Sequence, residues 1–364
     1  MKAIVLAGGF ATRLRPISYV IPKLLFPVAG KPMIYWTLDL LKQFRVSEVI
    51  LCVNYLADKL RKTVGNEYRG MGIRYSLEHS PLGTAGPIRL ASTIARLPTT
   101  FIAMNGDVIT NIRLDEMLEK HEISGATVTD ALCRVKDPSR FGVVEMSSAS
   151  RILRFIEKPK KNAPSRLINA GVYLIDRNLL KMIPPNRKVS LEREIFPTLA
   201  AHGRLNGFPI SGYWFDIGNL SDYRRANFEL MQKTMGMSIL RRGRSMIASD
   251  SKVTAPSIIG LDSKISRGTK LGPNVVSGRH LRLGRRVKVM NSILFDNVEV
   301  GDESSINGAI VGSNVLIGER VRVATGTILS PGVNVHDDIR IGKRAIIHPY
   351  LEVIEDVRSF AQLM

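Results

Sequence analysis

Residues 2–9, Lys-Ala-Ile-Val-Leu-Ala-Gly-Gly, determine how the first part of this chain folds. The aliphatic run over residues 2–6 has the composition of a buried strand, and Gly8-Gly9 then allows a turn in which backbone amides approach a ligand closely. A secretory signal peptide can open in a similar way, but here the apolar stretch stops at Gly8, and Arg13 and Arg15 follow. We therefore predict a first buried strand that ends in a ligand-binding loop.

Short apolar runs alternate with amphipathic stretches over the first 230 residues. The spacing predicts strands over 2–6, 48–53, 73–77, 100–104 and 152–156, and helices over 33–44, 59–68 and 86–97. This alternation is typical of an α/β domain with a mostly parallel sheet. Ligands bind such sheets outside the carboxyl ends of the strands, where Gly8-Gly9 and Asn105-Gly106-Asp107 are both expected.

From about residue 259 the sequence repeats with a period of six. The repeated apolar positions are Ile259, Ile265, Leu271, Leu283, Val289 and Phe295 and, after two shifts of register, Val311, Ile317, Val323, Leu329, Val335 and Ile341, with Ser277 as the one gap. This period is too short for helical repeats and is typical of a hexapeptide-repeat parallel β-helix. We predict an α/β domain over residues 1–238 and a left-handed parallel β-helix over 250–350.

The composition is that of a globular protein without a membrane segment. The chain has 364 residues, 45% of them hydrophobic and 23% charged, which suits two domains with their own cores. Two cysteines, Cys52 and Cys133, cannot build a disulfide framework, and this favours a reducing compartment. No run of about 18 apolar residues is present to span a membrane. These features predict a cytoplasmic protein.

The net charge of +20 raises the question of a nucleic-acid partner. The basic excess is spread along both halves of the chain, and its densest run, residues 241–244, falls in the predicted linker. A diffuse positive field attracts phosphorylated metabolites as well as it attracts DNA. We predict no nucleic-acid partner and a small anionic substrate.

The loop after the first strand carries groups suited to phosphate. It matches neither G-x-G-x-x-G nor G-x-x-x-x-G-K-[ST], so the sequence does not support the common dinucleotide or Walker sites. It does combine the glycine pair with the Thr12 hydroxyl, two guanidinium groups at Arg13 and Arg15, and Lys23 seven residues beyond Pro16. A plain strand–helix connection has no need of this set, which favours a nucleotide site.

Residues 8–16, Gly-Gly-Phe-Ala-Thr-Arg-Leu-Arg-Pro, resemble the signature of the sugar-1-phosphate nucleotidyltransferases, together with Pro22-Lys23 and Phe26-Pro27-Val28. Further stretches that match the family in order are residues 81–87, 105–107, 141–144, 157–159, 169–171 and 212–218. The first and last of these are most similar to the mannose-1-phosphate guanylyltransferase branch, and a C-terminal hexapeptide β-helix is common in the family. Ala11 stands where most members carry glycine, which narrows the loop but removes no charged group.

The resemblance implies a Rossmann-like nucleotidyltransferase domain and a defined reaction. A hexose 1-phosphate, best matched by mannose 1-phosphate, attacks the α-phosphorus of an NTP, best matched by GTP, and pyrophosphate leaves. Thymidylyl, uridylyl and adenylyl transfer to glucose 1-phosphate are alternatives within the family. A homo-oligomer is expected.

The resemblance also implies roles for particular residues. The catalytic residues are Arg13, Lys23, Asp107 and Asp216, of which Asp107 and Asp216 would hold Mg²⁺. The nucleotide-binding residues are Leu6, Ala7, Gly8, Gly9, Thr12, Glu78, Gly83 and Thr84, and the sugar-phosphate-binding residues are Gly142, Glu157, Lys158 and Asn169. We further hypothesise that the Glu78 carboxylate recognises guanine, because it can accept hydrogen bonds from both adjacent donors of that base.

Other interpretations of these residues stay open at this point. Asp107 could cap a helix and Glu78 could be a solvated strand end. A non-catalytic regulatory subunit could share the whole architecture, although it would have no reason to retain the charged set. The histidines of the repeat region, His280, His336 and His348, are expected to be structural and not acetyl-transfer residues, and the sequence assigns no role to residues 351–364.

Overall fold

The structure, a computed structural model, describes residues 1–160 and 163–364. By packing, the chain separates into two compact units, Met1–Phe10 with Met33–Asp216, and Ala11–Pro32 with Ile217–Met364. These bounds differ from the predicted domains, 1–238 and 250–350, which follow sequence patterns and stay a prediction. Within the described residues, no helix is both long enough and apolar enough to cross a membrane.

The strands and helices of the first 235 residues are as follows. The strands are β1 (Lys2–Leu6), β2 (Pro27–Val28), β3 (Lys31–Pro32), β4 (Glu48–Val53), β5 (Glu67–Tyr68), β6 (Met71–Leu77), β7 (Thr100–Asn105), β8 (Val108–Thr110), β9 (Val128–Arg134), β10 (Gly142–Met146), β11 (Ile152–Glu157), β12 (Leu167–Asp176), β13 (Leu205–Pro209) and β14 (Trp214–Asp216). The helices are α1 (Met33–Gln43), α2 (Ala57–Val64), α3 (Gly86–Ile94), α4 (Leu114–Ser124), α5 (Phe196–Ala201) and α6 (Leu220–Met235).

The first unit is built on one mixed sheet. Its order is β11-β10-β12-β7-β1-β4-β6-β5, and β9 and β13 are joined beside β12. The central strands β7, β1, β4 and β6 are parallel, whereas β5 and the strands from β12 outward pair mainly antiparallel with their neighbours. The parallel centre confirms the predicted Rossmann-like α/β class.

Most of the predicted elements of this unit are confirmed, and one is wrong. Strands 2–6 and 48–53 have the predicted bounds, and the other predicted strands extend by one or two residues. The predicted helix over 59–68 is instead α2, which ends at Val64. Gly65 donates the last helical hydrogen bond, to the Arg61 carbonyl, and its φ of +76 then takes the chain out of the helix. The next residues form β5, antiparallel to β6.

The register of the parallel centre brings the predicted loops to one edge. Leu6 pairs with both Cys52 and Asn105, and Val53 pairs with Leu77. The residues that follow these strand ends include Gly8, Asn54, Glu78 and Gly106. This edge of the sheet is therefore the place where the first unit can present polar groups to a ligand.

Residues 239–363, all of them described, form the predicted parallel β-helix, with parallel sheets of eight, seven and six strands. The first sheet contains Ile239–Arg241, Ser257–Ile259, Val275–Ser277, Ser292–Leu294, Ile310–Val311, Ile328–Leu329, Ile346–Ile347 and Gln362–Leu363. The second contains Met246–Ile247, Lys264–Ile265, Arg282–Leu283, Glu299–Val300, Leu316–Ile317, Asn334–Val335 and Glu352–Val353. The third contains Lys252–Val253, Lys270–Leu271, Lys288–Met290, Ser305–Asn307, Arg322–Val323 and Arg340–Ile341.

With one exception, the six-residue pattern marks the interior of the β-helix: Leu294, which pairs with Ser277 and Val311, is the inward residue of its coil, whereas the predicted Phe295 packs against Phe26. Each apolar residue of the predicted series is buried, as is Ser277, whose hydroxyl accepts from the Gly260 N–H at 3.1 Å. The two shifts of register are the five-residue steps from Val289 to Leu294 and from Ile306 to Val311, all of which are interior residues. Stacked aliphatic layers along the axis form the core. Because each coil contributes to these layers in the same way, the period can be recognised in the sequence.

Residues 11–32 pack within the second unit. Phe26 is fully buried, with its ring centroid 5.5 Å from that of Tyr223 on α6 and 5.6 Å from that of Phe295 in the β-helix. The Tyr223 hydroxyl donates to the Pro27 carbonyl at 2.6 Å, and the Ala29 N–H donates to Asn227 Oδ1 at 2.9 Å. The loop that carries the predicted phosphate-binding cations is thus anchored to α6 and the β-helix by a buried aromatic cluster.

Candidate active site

Glu78 lies beside the glycine turn of the first strand. Its side chain is buried (6% exposed), and its Oε1 is 2.6 Å from the position that a Cβ on Gly8 would occupy. Its Oε2 accepts from the Leu82 N–H at 3.4 Å. Burial removes the carboxylate from water and so raises the pKa of Glu78. A side chain at position 8 would press on this carboxylate, which would have to shift away from the turn.

Leu6 and Ala7 fix the turn to the neighbouring strands. The Leu6 carbonyl accepts from the Gly106 N–H at 2.9 Å, and the Ala7 N–H donates to the Cys52 carbonyl at 2.8 Å. Gly9 is exposed, and no heavy atom among the described residues lies within 4 Å of the place where its Cβ would be. The backbone at Gly9 is therefore the part of the turn that a nucleotide can approach.

Gly83 and Thr84 are held by a segment about a hundred residues further along the chain. Gly83 has φ +80, and a Cβ there would overlap the Val189 carbonyl. The Thr84 hydroxyl donates to Glu192 Oε2 at 2.6 Å and accepts from the Leu191 N–H at 2.8 Å. The Thr84 side chain thus serves the fold, and the prediction that Thr84 binds nucleotide depends on its backbone.

We expect Gly83→Ala to lower both stability and nucleotide affinity. The substitution combines positive φ with a collision against backbone, for an expected loss of about 2–3 kcal/mol in the free energy of unfolding. Gly65→Ala is the matched control, because Gly65 has φ +76 but no described heavy atom within 4 Å of its Cβ position; its loss should be about 1 kcal/mol. Chemical denaturation of both variants measures the difference, and equal losses would contradict the collision.

Asp107 and Asp216 are brought together by a two-stranded ribbon. Strands β8 and β14 pair antiparallel, with Asp216 opposite Val108, the residue directly after Asp107. Both aspartates are half-buried. Although 109 positions separate them in the sequence, the two aspartates therefore occupy neighbouring positions at one end of the ribbon.

The donor set at this ribbon fits Mg²⁺. Among the described residues, no three or more His, Cys, Asp or Glu side chains are arranged to hold a metal ion. Mg²⁺ commonly takes only one or two protein carboxylates and completes its octahedron with phosphates and water. Asp107 and Asp216, two carboxylates at adjacent positions of the ribbon, match that requirement.

The four predicted sugar-phosphate residues are neighbours in the sheet. Gly142 on β10 pairs with Glu157 on β11, and β10 meets β12 at Val143 and Ile168, next to Asn169. Glu157 Oε1 accepts from Lys158 Nζ at 2.9 Å, and the Lys158 side chain is 58% exposed. Asn169 receives the Gly171 N–H on Oδ1 at 2.7 Å and donates to the Tyr173 hydroxyl at 2.9 Å. The structure thus groups these residues, although their ligand stays a prediction.

Thr12, Arg13 and Lys23 lie in the second unit. Thr12 and Arg13 are exposed in one helical turn, Thr12–Leu14, and Lys23 starts another, Lys23–Leu25. The Arg13 guanidinium lies 3.4 Å from the position that a Cβ on Gly218 would occupy, so glycine at 218 leaves it room. Ala11 has φ +48, a conformation that glycine adopts at lower cost. This cost explains why most members of the resembling family carry glycine where this chain has Ala11.

Three side chains that support the site had no assigned role in the sequence. Trp214 donates its Nε1–H to the Ala170 carbonyl at 2.8 Å, which ties the aspartate ribbon to the strand of Asn169. Asn105 lies against Gly171, where a Cβ would be 2.5 Å from its Nδ2. Glu192 holds Thr84 from 108 positions away. The first two lie in stretches that match the family, whereas no sequence signal pointed to Glu192.

The chain matches two family models and a series of known proteins. The nucleotidyl transferase family matches residues 2–233, and the GMPPB C-terminal domain matches residues 253–362. The mannose-1-phosphate guanyltransferase of Emericella nidulans is 32% identical over 340 residues, and mannose-1-phosphate guanylyltransferase 1 of Arabidopsis thaliana is 32% identical over 334 residues. Each alignment covers 90% of this chain and 91% of the relative.

A solved structure shares the fold of the first part. HddC from Yersinia pseudotuberculosis, complexed with GMP-PN, is 26% identical with a TM-score of 0.54, over 63% of this chain and 99% of that one. The family match covers more than half of the chain, and the relatives align over both units. The chain therefore belongs to the nucleotidyl transferase family, and it is a nucleotidyltransferase.

Proposed function

We propose that this enzyme transfers a guanylyl group from GTP to mannose 1-phosphate, releasing GDP-mannose and pyrophosphate, with Mg²⁺ as its metal. The names of the relatives support this choice of substrates. The single observation that carries it is the buried Glu78 carboxylate against Gly8. A carboxylate can accept both adjacent donors of guanine, and a site built to do so rejects bases that lack them.

The residues of the chain divide the chemistry between them. Asp107 and Asp216 would hold Mg²⁺, which supplies positive charge to the reacting phosphates when bound. Arg13 and Lys23 neutralise the triphosphate and the charge that grows on the α-phosphate oxygens. Lys158 binds the sugar phosphate, and Glu157 fixes the Lys158 ammonium at 2.9 Å. No general base is required, because the second pKa of a phosphate monoester is about 6 and the attacking oxygen is ionised at neutral pH.

The assay that tests the proposal measures pyrophosphate release. Each of GTP, ATP, UTP and dTTP is paired with mannose 1-phosphate and with glucose 1-phosphate, in the presence of Mg²⁺ or Mn²⁺. We expect the highest kcat/KM for GTP with mannose 1-phosphate. A preference for dTTP, UTP or ATP with glucose 1-phosphate would replace the substrate assignment, and silence in every pair would favour a non-catalytic regulatory subunit.

Glu78→Gln is expected to change the choice of base. An amide presents one acceptor and one donor, so it cannot accept both donors of guanine, and kcat/KM for GTP should fall about 100-fold with little change for UTP. Burial disfavours the ionised carboxyl, so the glutamine variant should be at least as stable as the parent at pH 7.5. An unchanged ratio of GTP to UTP turnover would contradict base recognition by Glu78.

The same carboxyl predicts a pH dependence. Only the ionised form accepts both guanine donors, and because burial raises the pKa of Glu78, this form is lost at a higher pH than for a solvated glutamate as the pH falls. We expect kcat/KM for GTP to decline on the acidic side, and the decline to begin at a lower pH in Glu78→Gln, where the ionisation of the substrate phosphates remains and that of Glu78 does not. A pH profile of kcat/KM for both proteins measures this, since it reports the free enzyme.

Three earlier predictions remain proposals about the same protein. A cytoplasmic location is supported by the two cysteines, both of which are free thiols. A homo-oligomer and the absence of a nucleic-acid partner rest on the sequence alone.

A further inference from the structure

The last coil of the β-helix contacts the phosphate loop. The His348 ring, directly after the strand Ile346–Ile347, lies with its centroid 5.9 Å from that of Tyr19. The Arg15 guanidinium carbon lies 4.9 Å from the centroid of the same Tyr19 ring. Arg15 is two residues from Arg13 and belongs to the set of loop cations. A chain of ring contacts thus runs from the β-helix to a cation of the loop, all within the second unit.

The residues near the end of the chain hold His348 in turn. Gln362, in the strand Gln362–Leu363 that pairs with Ile346–Ile347, directs its side-chain amide at His348 Nε2 at 2.9 Å. The backbone N–H of His348 donates to the Leu363 carbonyl at 3.0 Å. Two further contacts, one from side chain and one from backbone, therefore orient the ring that packs on Tyr19.

The loop is anchored in part by its own buried side chains, since Leu14 and Ile17 are fully buried, while its cations lie outside this packing. Arg13, Arg15 and Tyr19 are exposed, and Ala11 holds a left-handed conformation with its carbonyl accepting from the Ser18 hydroxyl at 2.9 Å. The buried aromatic cluster around Phe26 fixes the far end of the loop. At Tyr19, near its middle, the ring contact with His348 reaches the last coil of the β-helix. An arginine stacked on an aromatic ring keeps its charge and loses rotational freedom, which suits it to meet phosphate without further ordering.

We propose that His348, held by Gln362, is a positioning residue for polyphosphate binding: through Tyr19 and Arg15 it sets the conformation of the cationic loop. The β-helix is then a working part of nucleotide binding, and the segment after residue 350 has a role that the sequence did not reveal. This inference rests on the proposed function, because it takes the loop to bind the triphosphate of GTP.

The test compares the affinities of the full-length protein for GTP and for GMP by calorimetry, without sugar phosphate and therefore without turnover. GMP lacks the β- and γ-phosphates, so the ratio of the two affinities isolates the loop. We expect His348→Ala to reduce the GTP-to-GMP ratio about fivefold, with GMP affinity unchanged. Tyr19→Leu should act in the same way, Tyr19→Phe should retain the parental ratio, and Gln362→Ala should lower the ratio less than His348→Ala does.

His336→Ala is the matched control. His336 lies on another sheet of the same β-helix, where its Nε2 is 3.9 Å from Glu352, and its loss should leave the ratio unchanged. A parental ratio in both His348→Ala and Tyr19→Leu would overturn the inference while leaving the proposed function intact. A parent protein that binds GTP no more tightly than GMP would overturn the assigned role of the loop, and this inference with it. Thermal unfolding of each variant separates a lost contact from a lost fold.

Discussion

Asp107→Asn is expected to reduce kcat by about a thousandfold or more while the protein stays folded. Asparagine has the shape of aspartate but lacks the charge with which Asp107 would hold Mg²⁺. Asp107 lies one residue from the point where Asp216 pairs across the β8–β14 ribbon, so both carboxylates would serve one ion. Steady-state turnover over a range of Mg²⁺ concentrations measures the effect.

Two further variants define the cause of that loss. Asp216→Asn should produce a similar loss, and the double variant should lose much less than the product of the two, because residues that act on one ion are not independent. Asp115→Asn is the control, since Asp115 is exposed and engaged with Arg113 at 2.6 Å. Activity of Asp107→Asn within tenfold of the parent at saturating metal would rule out the assigned role.

The second large effect is expected for Arg13→Ala. Removal of the guanidinium takes away a two-pronged donor that would face the triphosphate, and we expect kcat/KM for GTP to fall about 100- to 1,000-fold, with KM for mannose 1-phosphate nearly unchanged. Arg13→Lys keeps the charge but not the fork and should recover only part of the loss. The measurement is initial-rate kinetics with each substrate varied in turn.

Gly218 offers an independent route to the same arginine. A Cβ at position 218 would lie 3.4 Å from an Arg13 nitrogen, and the larger side chain of Gly218→Val should displace the guanidinium without changing its charge. We expect a loss of kcat/KM for GTP smaller than that of Arg13→Ala. Arg69→Ala, which removes an exposed arginine paired with Asp39, is the control for charge alone. Equal kinetics in Arg13→Ala and the parent would remove Arg13 from the mechanism.

Local chemistry made much of the molecule readable from its sequence. Strands and their burial could be predicted from the run Lys2–Leu6 and from the six-residue period after Ile259. The reason is that side-chain alternation and repeat length follow directly from backbone geometry. The charged set was legible for a different reason. Its members stand in short stretches resembling a known family, so their order singled them out as candidates without any knowledge of distance.

The error in helix α2 shows the limit of periodicity. The pattern of residues 59–68 continues smoothly, but Gly65 changes the sign of φ, and β6 offers residues 67–68 a partner strand. Pairing with a neighbour outweighs local propensity, and no window on the sequence contains that neighbour.

The sequence by itself determined the α/β class and the β-helix, and it proposed the charged residues of the site. Tertiary structure decided which of them are neighbours: it placed Asp216 beside Asp107, set Glu78 against Gly8, committed the Thr84 hydroxyl to Glu192, and packed residues 11–32 with α6 and the β-helix. Each of these contacts either joins residues tens to hundreds of positions apart or depends on burial, as the raised pKa of Glu78 does. Such contacts depend on the packing of the whole chain, and a pattern in the linear sequence does not reveal them.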